Sequence, residues 1–204
     1  MIDLEPPLRR ARPEDAVAMA ELVNFAGEGL PLYLWGKMAA PGQSAWEVGQ
    51  GRARREQGGF SYRNAVMIEA EDGRVAGCVV GYPLPERPEP IPTDLPVMFV
   101  AMQELENLAP RTWYVNVLAV YPEFRGRGLG SRLLATADRI AADLDLDGLS
   151  IIVSDANAGA RRLYERFGYR ETATRPMVKD DWENAGRNWM LLVKGLAGRA
   201  HSSA

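Results

Sequence analysis

The sequence predicts a mixed α/β fold, with a central mixed sheet that is mostly antiparallel and helices on both of its faces. Strand-like and helix-like segments follow the order β, two helices, β-β, a proline-rich insertion with a helix, then β-α-β-α-β-β. An alternating doubly wound fold would lack the two places where strand follows strand directly. The 47% hydrophobic and 25% charged residues are typical of an ordinary globular protein.

The chain of 204 residues is long enough to bury one sizeable core. We predict a single domain over residues 1–195, with a proline-rich loop and helix inserted at about 83–110. Residues 196–204 are predicted to form a flexible tail.

In the N-terminal part, residues 8–12 predict a short edge strand, and Pro13 marks the start of a helix with acids in its first turn. The glycine- and proline-rich stretch 27–42 predicts a loop with a short turn of helix. Ser44 and Glu47 form a capping box, which opens a second helix that we expect to reach about Gln57.

Next along the chain, the runs NAVMIEA and VAGCVVGY flank Asp72-Gly73, a pair that suits a tight hairpin turn. Residues 83–96 contain six prolines, which excludes a continuous helix or a central strand and predicts a rigid loop. Residues 97–108 show helical spacing of apolar side chains.

The C-terminal half has the clearest strand candidate and the most amphipathic helix. Its predicted elements are a strand at 112–120, a helix at 126–144, a strand at 149–153, a helix at 157–167, and two closing strands at 169–178 and 188–194.

Charge and rare residues exclude several classes of function. With a net charge of −3, non-specific attraction to nucleic acid or to an anionic membrane is not expected. We find no apolar run of the ~20 residues that span a bilayer and no secretory signal, so a cytoplasmic location is expected. The single cysteine, Cys78, agrees with a reducing compartment. The single histidine, His201, lies in the predicted tail, which argues against a histidine-based nucleophile and against a zinc site with several Cys or His ligands.

The stretch RGRGLG, Arg125 to Gly130, lies between the best strand and the amphipathic helix. A helix N-terminus there offers free N–H groups and partial positive charge, and glycines let the backbone approach a ligand closely. Such a turn suits phosphate oxygens, and Arg125 and Arg127 add charge. It is neither a Walker A loop nor a G-x-G-x-x-G dinucleotide fingerprint. Taken alone, it is equally compatible with a solvated surface turn.

Two motifs together give a specific resemblance. Arg125-x-x-Gly128-x-Gly130 resembles motif A of the GNAT superfamily of N-acetyltransferases, Gln/Arg-x-x-Gly-x-Gly/Ala. Downstream, the sequence resembles motif B, N-x-x-A-x-x-L-Y-x-x-x-G-[FY], at Asn157, Ala160, Leu163, Tyr164, Gly168 and Tyr169. The resemblance is good over about 112–178, and the N-terminal half agrees only in its order of elements.

The resemblance implies that the strand Tyr114–Val120 splays from the parallel strand Leu149–Val153, and it implies a site for acetyl-coenzyme A. It implies that the loop amides hold the pyrophosphate, that the pantetheine arm pairs with the strand backbone near Leu118 to Val120, and that the Leu118 N–H polarises the thioester carbonyl. Asn157 would orient the arm or a water. The implied cofactor-binding residues are Leu118, Ala119, Val120, Arg125, Gly126, Arg127, Gly128, Leu129, Gly130, Ser131 and Asn157; no metal is expected.

Tyr164 matches the family's tyrosine beside the coenzyme sulfur. A phenol of pKa ~10 is protonated at neutral pH and can protonate a thiolate of pKa ~8.5. Without an available histidine, the base must be a carboxylate or a water chain. The candidates are Glu104 and Glu106 on the helix before the strand, and Glu28 in the loop that follows the first helix. Asn116 could position a water.

The expected function is therefore acetyl transfer from acetyl-CoA to a primary amine of a small molecule or peptide, by direct attack. The alternative is a non-catalytic acyl-CoA-binding sensor domain, suggested by the lack of a strong base candidate. The acceptor pocket would come from residues 28–35, the proline-rich insertion and the segment around Trp182. Family members are often homodimers, so a homodimer is the assembly to test.

Overall fold

The computed structural model describes residues 2–196. His201 and the predicted tail beyond Leu196 lie outside these residues. The described chain forms two compact units. We call Asp3–Gly81 with Asn116–Ala135 the N-terminal unit, and Tyr82–Val115 with residues 136–196 the C-terminal unit. The single domain over 1–195 and the insertion at 83–110 stay predictions.

Seven strands form one mixed sheet, in the order β1-β2-β3-β4-β5-β7-β6. The strands are β1 Leu8–Arg10, β2 Ala65–Glu69, β3 Val75–Pro83, β4 Thr112–Val120, β5 Gly148–Ser154, β6 Arg170–Pro176 and β7 Asn188–Gly195. The pairs β1–β2, β2–β3, β5–β7 and β6–β7 are antiparallel, and β4–β5 is parallel. The predicted fold class, a mostly antiparallel mixed sheet with a parallel pair and helices around it, is confirmed.

Within residues 2–196, six α-helices accompany the sheet. They are α1 Ala16–Ala26, α2 Leu30–Met38, α3 Ala45–Ala53, α4 Val97–Glu106, α5 Leu129–Asp143 and α6 Ala158–Arg166. All predicted strands are present.

The core of the N-terminal unit lies between α1–α3 and one face of β2, β3 and the end of β4. It contains the apolar face of α1, with Met19 and Leu22 fully buried, and the alternate strand residues Met67 and Cys78. The intervening strand residue Ile68 is also fully buried, as are Val66 and Val79. Because successive side chains of a strand point to opposite faces, both faces of this part of the sheet are covered.

Helix α2 is absent from the sequence-based prediction, which placed a loop over 27–42. Gly29, at φ 88°, precedes the helix, and the proline of LPLYLWGKM lies in its first turn, where a missing N–H costs nothing. Trp35 is 4% exposed and stacks on Phe60 with ring centroids 5.9 Å apart. The helix therefore depends on tertiary burial of Trp35, while its helix-breaking residues sit where they are tolerated.

Helix boundaries also differ from prediction, most clearly at the end of α3 and the start of α5. The capping box of α3 is confirmed, since the Ser44 hydroxyl accepts from the Glu47 N–H at 3.2 Å and Glu47 accepts from the Ser44 N–H at 2.7 Å. That helix ends at Ala53, however, before Gln57. Helix α5 begins at Leu129, later than the predicted residue 126, because the preceding glycines adopt left-handed backbone angles.

In the C-terminal unit, α4 packs against β5, β6 and β7. Strands β4 and β5 pair over Thr112–Tyr114 and Gly148–Ser150, and β4 runs on to Val120 beyond that register. A buried hydrogen bond of 2.7 Å joins the hydroxyls of Thr112 and Ser150. This bond fixes the register where the parallel strands begin.

Candidate functional site

The RGRGLG loop of the N-terminal unit forms a left-handed turn directly before α5. A short 3-10 turn at Pro122–Phe124 follows β4, and Gly126 and Gly128 then take φ angles of 76° and 75°, directly before α5. A Cβ at either glycine would meet no atom within 4 Å. Glycine is therefore required here by backbone conformation, because a left-handed backbone is strained for other residues. The loop is exposed from Arg125 to Gly128.

The arginines of this loop are bound to its own backbone. The Arg125 Nε donates to the Val120 carbonyl at 3.0 Å, and an Arg127 Nη donates to the Glu123 carbonyl at 3.2 Å. The Arg127 guanidinium also lies 5.6 Å from the Phe124 ring centroid. These contacts keep two positive charges at the start of α5.

A third arginine, which the sequence does not predict, lies near Phe124 together with the loop arginines. Arg74, from the β2–β3 turn, lies 5.0 Å from the Phe124 ring centroid. Asp72 accepts from its Nε at 2.8 Å. No local pattern links Arg74 to the loop, because only the fold brings the hairpin turn to Phe124.

The predicted pantetheine-binding residues lie at the end of β4. Ala119 is 8% exposed and faces the core of the N-terminal unit, whereas Leu118 and Val120 are half-buried on the opposite face. Asn116, on the same face as Leu118, is exposed. The structure thus brings Leu118–Val120 and the Arg125–Ser131 loop together as the end of one strand and the start of the next helix.

Helix α6 of the C-terminal unit carries Asn157 and Tyr164. The Asn157 side chain caps the helix, accepting from the Ala160 N–H at 3.1 Å. Tyr164 is 4% exposed, and its ring centroid lies 5.6 Å from that of Tyr169. Burial raises the pKa of Tyr164 above that of an ordinary phenol, so the hydroxyl stays protonated at neutral pH.

The two glutamates of α4 have different surroundings. Glu104 accepts from the Arg175 Nε of β6 at 2.6 Å, which makes it one half of an ion pair. Glu106 is half-buried. Burial, and secondarily the charge of Glu89, raises the pKa of Glu106 to about 7. Of these two candidates, Glu106 has the pKa suited to accepting a proton near neutral pH.

Tyr82 and Glu89 complete the surroundings of Glu106, and neither was predicted from sequence. The pKa of the Tyr82 phenol is raised, first by burial and then by the charges of Glu106 and Glu89. The Tyr82 ring meets Tyr114 edge-on, with centroids 5.5 Å apart. A glutamate in a proline-rich loop carries no signal of such a role.

The remaining acceptor-site candidates are divided between the units. In the N-terminal unit, Glu28 takes a positive φ of 52°, and Trp35 belongs to the core. In the C-terminal unit, Trp182 is 6% exposed and stacks on Trp189 with centroids 6.0 Å apart.

Comparison with known proteins decides the family. The model of the acetyltransferase (GNAT) family matches residues 35–169. The chain belongs to this family.

Two relatives of this GNAT chain are also named as acetyltransferases. It is 31% identical over 166 residues to mycothiol acetyltransferase of Acidimicrobium ferrooxidans, covering 80% of this chain and 43% of that protein. It is 27% identical over 164 residues to the uncharacterized N-acetyltransferase YhfO of Bacillus subtilis, covering 80% of this chain and 89% of that protein. The chain thus spans less than half the length of the first of these relatives.

The fold agrees with solved structures as well. A crystal structure of an acetyltransferase superposes with a TM-score of 0.63 at 22% identity, covering 93% of this chain and 98% of that one. At this identity, the likeness shows the fold.

Within residues 2–196 of this GNAT chain, no group of three or more His, Cys, Asp or Glu side chains is arranged to hold a metal ion. No helix in the same range is both long and apolar enough to cross a membrane.

Proposed function

We propose that this GNAT chain transfers an acetyl group from acetyl-CoA to a primary amine of a small molecule or peptide by direct attack. The observation that carries the proposal is the left-handed turn at Gly126 and Gly128, directly before α5, in a chain of the acetyltransferase family.

Acetyl-CoA would be bound through its phosphates at this turn. The N-terminal N–H groups of α5 and the nearby arginines supply donors and positive charge, as a pyrophosphate requires. The pantetheine arm would lie along the backbone of Leu118–Val120, with the Leu118 N–H polarising the thioester carbonyl. Asn157 would orient the arm or a water.

Glu106 would act as the general base. An amine attacks only when neutral, so the ammonium must first release a proton. Transferring this proton from an α-ammonium of pKa ~8 to a carboxylate of pKa about 7 costs ~1.4 kcal/mol. The same transfer from a lysine ammonium of pKa ~10.4 costs ~4.6 kcal/mol. We therefore propose acceptor amines of low basicity, such as α-amines.

Tyr164 would supply the proton that the leaving group needs. As the N–C bond forms, the C–S bond breaks and the electron pair stays on sulfur. The phenol then protonates this thiolate, and the second proton of the attacking nitrogen passes to the phenolate and restores the phenol. The raised pKa of Tyr164 keeps the phenol protonated before the reaction and makes its phenolate a strong acceptor for the nitrogen proton.

The pKa of Glu106 argues against the alternative of a non-catalytic sensor domain. That alternative was suggested by the lack of a base, and a half-buried carboxyl with a pKa of about 7 meets this need.

The decisive experiment combines calorimetry with acetyl-CoA and mass spectrometry of a panel of amines and peptides, which includes α-amines and lysine side chains. We expect binding, and acetylation mainly of the less basic amines. No binding at millimolar acetyl-CoA would overturn the proposal, and binding without any acetylated product would favour the sensor domain.

We also propose a homodimer and a cytoplasmic location. Light scattering after size-exclusion chromatography tests the first, with a monomer as the contradicting result. Fractionation of the cells that produce the protein tests the second.

A further inference from the structure

The proline-rich segment between β3 and α4 contains the triplet Pro88-Glu89-Pro90. Each proline has a fixed φ and no N–H, and a residue that precedes a proline is restricted to extended conformations. Glu89 is therefore the one residue of the triplet with a backbone N–H, and little entropy is lost when it is held in place.

Asn107 holds this triplet with both ends of its side-chain amide. The Glu89 N–H donates to the Asn107 Oδ1 at 3.0 Å, and the Asn107 Nδ2 donates to the Glu89 carbonyl at 2.8 Å. The Asn107 backbone N–H donates to the Gln103 carbonyl at 3.0 Å and so closes the last turn of α4. One side chain thus ties the proline-rich segment to the end of the helix.

The segment is also tied down at its start. The Leu84 N–H donates to the Thr112 carbonyl at 2.8 Å, and the Arg111 N–H donates to the Pro85 carbonyl at 3.2 Å. With Glu89 bound further along, the segment is a docked part of the C-terminal unit.

Asn107 holds the backbone of Glu89, and the exposed carboxylate of Glu89 acts on Glu106, which directly precedes Asn107. Burial and then Glu89 raise the pKa of Glu106 to about 7, and both glutamates, after burial, raise the pKa of Tyr82. The three groups therefore lie within electrostatic reach of one another.

Other charges near α4 are mostly compensated. The charged residues on the strands packed against it are Arg170, Glu171 and Arg175 on β6 and Lys194 on β7, while β5 has none. Arg175 pairs with Glu104, and Lys194 pairs with Asp138. Glu171 accepts from the Thr174 hydroxyl at 3.0 Å, and Arg170 is exposed.

We propose that Asn107 is a positioning residue for acetyl transfer: it holds Glu89 beside Glu106, so that the two carboxylates act as one proton-accepting pair. This role rests on the function proposed above. The acceptor ammonium gives one proton to Glu106 and becomes a neutral amine, and the charge of the pair falls from −2 to −1. Repulsion from Glu89 favours the protonated form of Glu106 and so strengthens it as a base.

The test uses Glu89→Gln, Asn107→Ala and the double variant, with Glu86→Gln as a matched control in the same segment. The first readout is the pH profile of kcat/KM for an acetylated amine. Both single variants should move the rising limb of the profile to lower pH by about 0.5 unit. Glu89→Gln removes the charge that repels the Glu106 carboxylate, and Asn107→Ala releases Glu89 from its position beside Glu106. The double variant should move it no further than Glu89→Gln, since Asn107 acts through Glu89. Glu86→Gln should leave it unchanged.

The second readout needs no activity. A carbon-13 NMR titration follows the Glu106 carboxyl in the full chain, with the signal assigned by its loss in Glu106→Gln. We expect the same shift in Glu89→Gln and Asn107→Ala. If Asn107→Ala does not fold, Glu89→Gln still decides, because it leaves the backbone contacts of Glu89 in place. An unmoved titration in Glu89→Gln would overturn the proposal. A moved titration without acetylation in any assay would instead overturn the proposed function.

Discussion

Glu104 and Glu106 lie on the same helix, yet they differ in the property that a base needs. Glu104 is bound to Arg175, while Glu106 is half-buried and has a pKa of about 7. The sequence offers no way to rank them, because both are glutamates near the end of one predicted helix. Burial and a charge from another segment distinguish them.

The first prediction concerns Glu106→Gln. For the wild type, kcat/KM should rise about tenfold per pH unit up to about pH 7 and then level off, because the base form of Glu106 accumulates. The variant should lose about 10²-fold at pH 8 and lose that inflection. Steady-state kinetics from pH 5 to 9 measure this, with Glu86→Gln as control. An inflection that persists in Glu106→Gln would exclude it as the base.

The second prediction concerns Tyr164→Phe. The change removes the proton donor and keeps the ring that packs against Tyr169, so kcat should fall about 10²-fold while the affinity for acetyl-CoA is unchanged. Tyr169→Phe is the matched control, since within the described residues the buried Tyr169 hydroxyl has no hydrogen-bond partner. Equal kcat values for the two variants would remove Tyr164 from the mechanism.

At the scale of elements, the sequence predicts a strand, a glycine loop and a helix at the junction of β4 and α5, and the structure confirms this order. Strand pattern, helix periodicity and glycine spacing are local properties that neighbours along the chain determine. Helix α2 was missed because its local composition favours a loop. A Cβ on Gly49 of α3 would collide with the Trp35 ring, so α2 depends on close packing against α3.

The third prediction belongs to the β4–α5 loop. Gly126→Ala and Gly128→Ala should each weaken acetyl-CoA binding about 5-fold to 30-fold, because a Cβ disfavours the left-handed turn by roughly 1–2 kcal/mol. Calorimetry measures the change. Gly42→Ala is the control, with a φ of 82° and equally open surroundings outside the loop. It should lose a similar amount of stability and keep its affinity. An unchanged affinity in both loop variants would contradict the proposed phosphate site.

At the scale of the whole molecule, the raised pKa of Glu106 predicts how stability depends on pH. The folded state binds the proton more tightly than the unfolded chain, so Glu106 contributes fully below its ordinary value of 4.5 and loses this contribution as the pH rises through about 7. Glu106→Gln should therefore be more stable than the wild type at pH 8, by up to about 3 kcal/mol, and similar to it at pH 4.

Urea unfolding at the two pH values measures this difference. The contribution of Asp15 to stability depends on pH in the opposite direction from that of Glu106. Burial alone would raise its pKa, but hydrogen bonds from Arg9 and from the Arg12 N–H hold it below the usual value. The stability that Asp15 contributes is fully present above pH 3.8, the ordinary pKa of its carboxyl. It is lost as the pH falls through the lower pKa of the folded state. A stability difference between Glu106→Gln and wild type that is equal at pH 4 and pH 8 would contradict the Glu106 assignment.

By itself, the sequence determined the class of the sheet, the RGRGLG turn and two motifs that resemble those of the family, because these depend on residues close together in the chain. The tertiary structure alone decided that α2 is a helix, that Arg74 joins the loop arginines, and that Glu104 pairs with Arg175 while burial raises the pKa of Glu106. The reason is physical: burial and electrostatic coupling depend on which distant segments meet. The neighbours that matter here, Arg74 and Glu89, come from other parts of the chain.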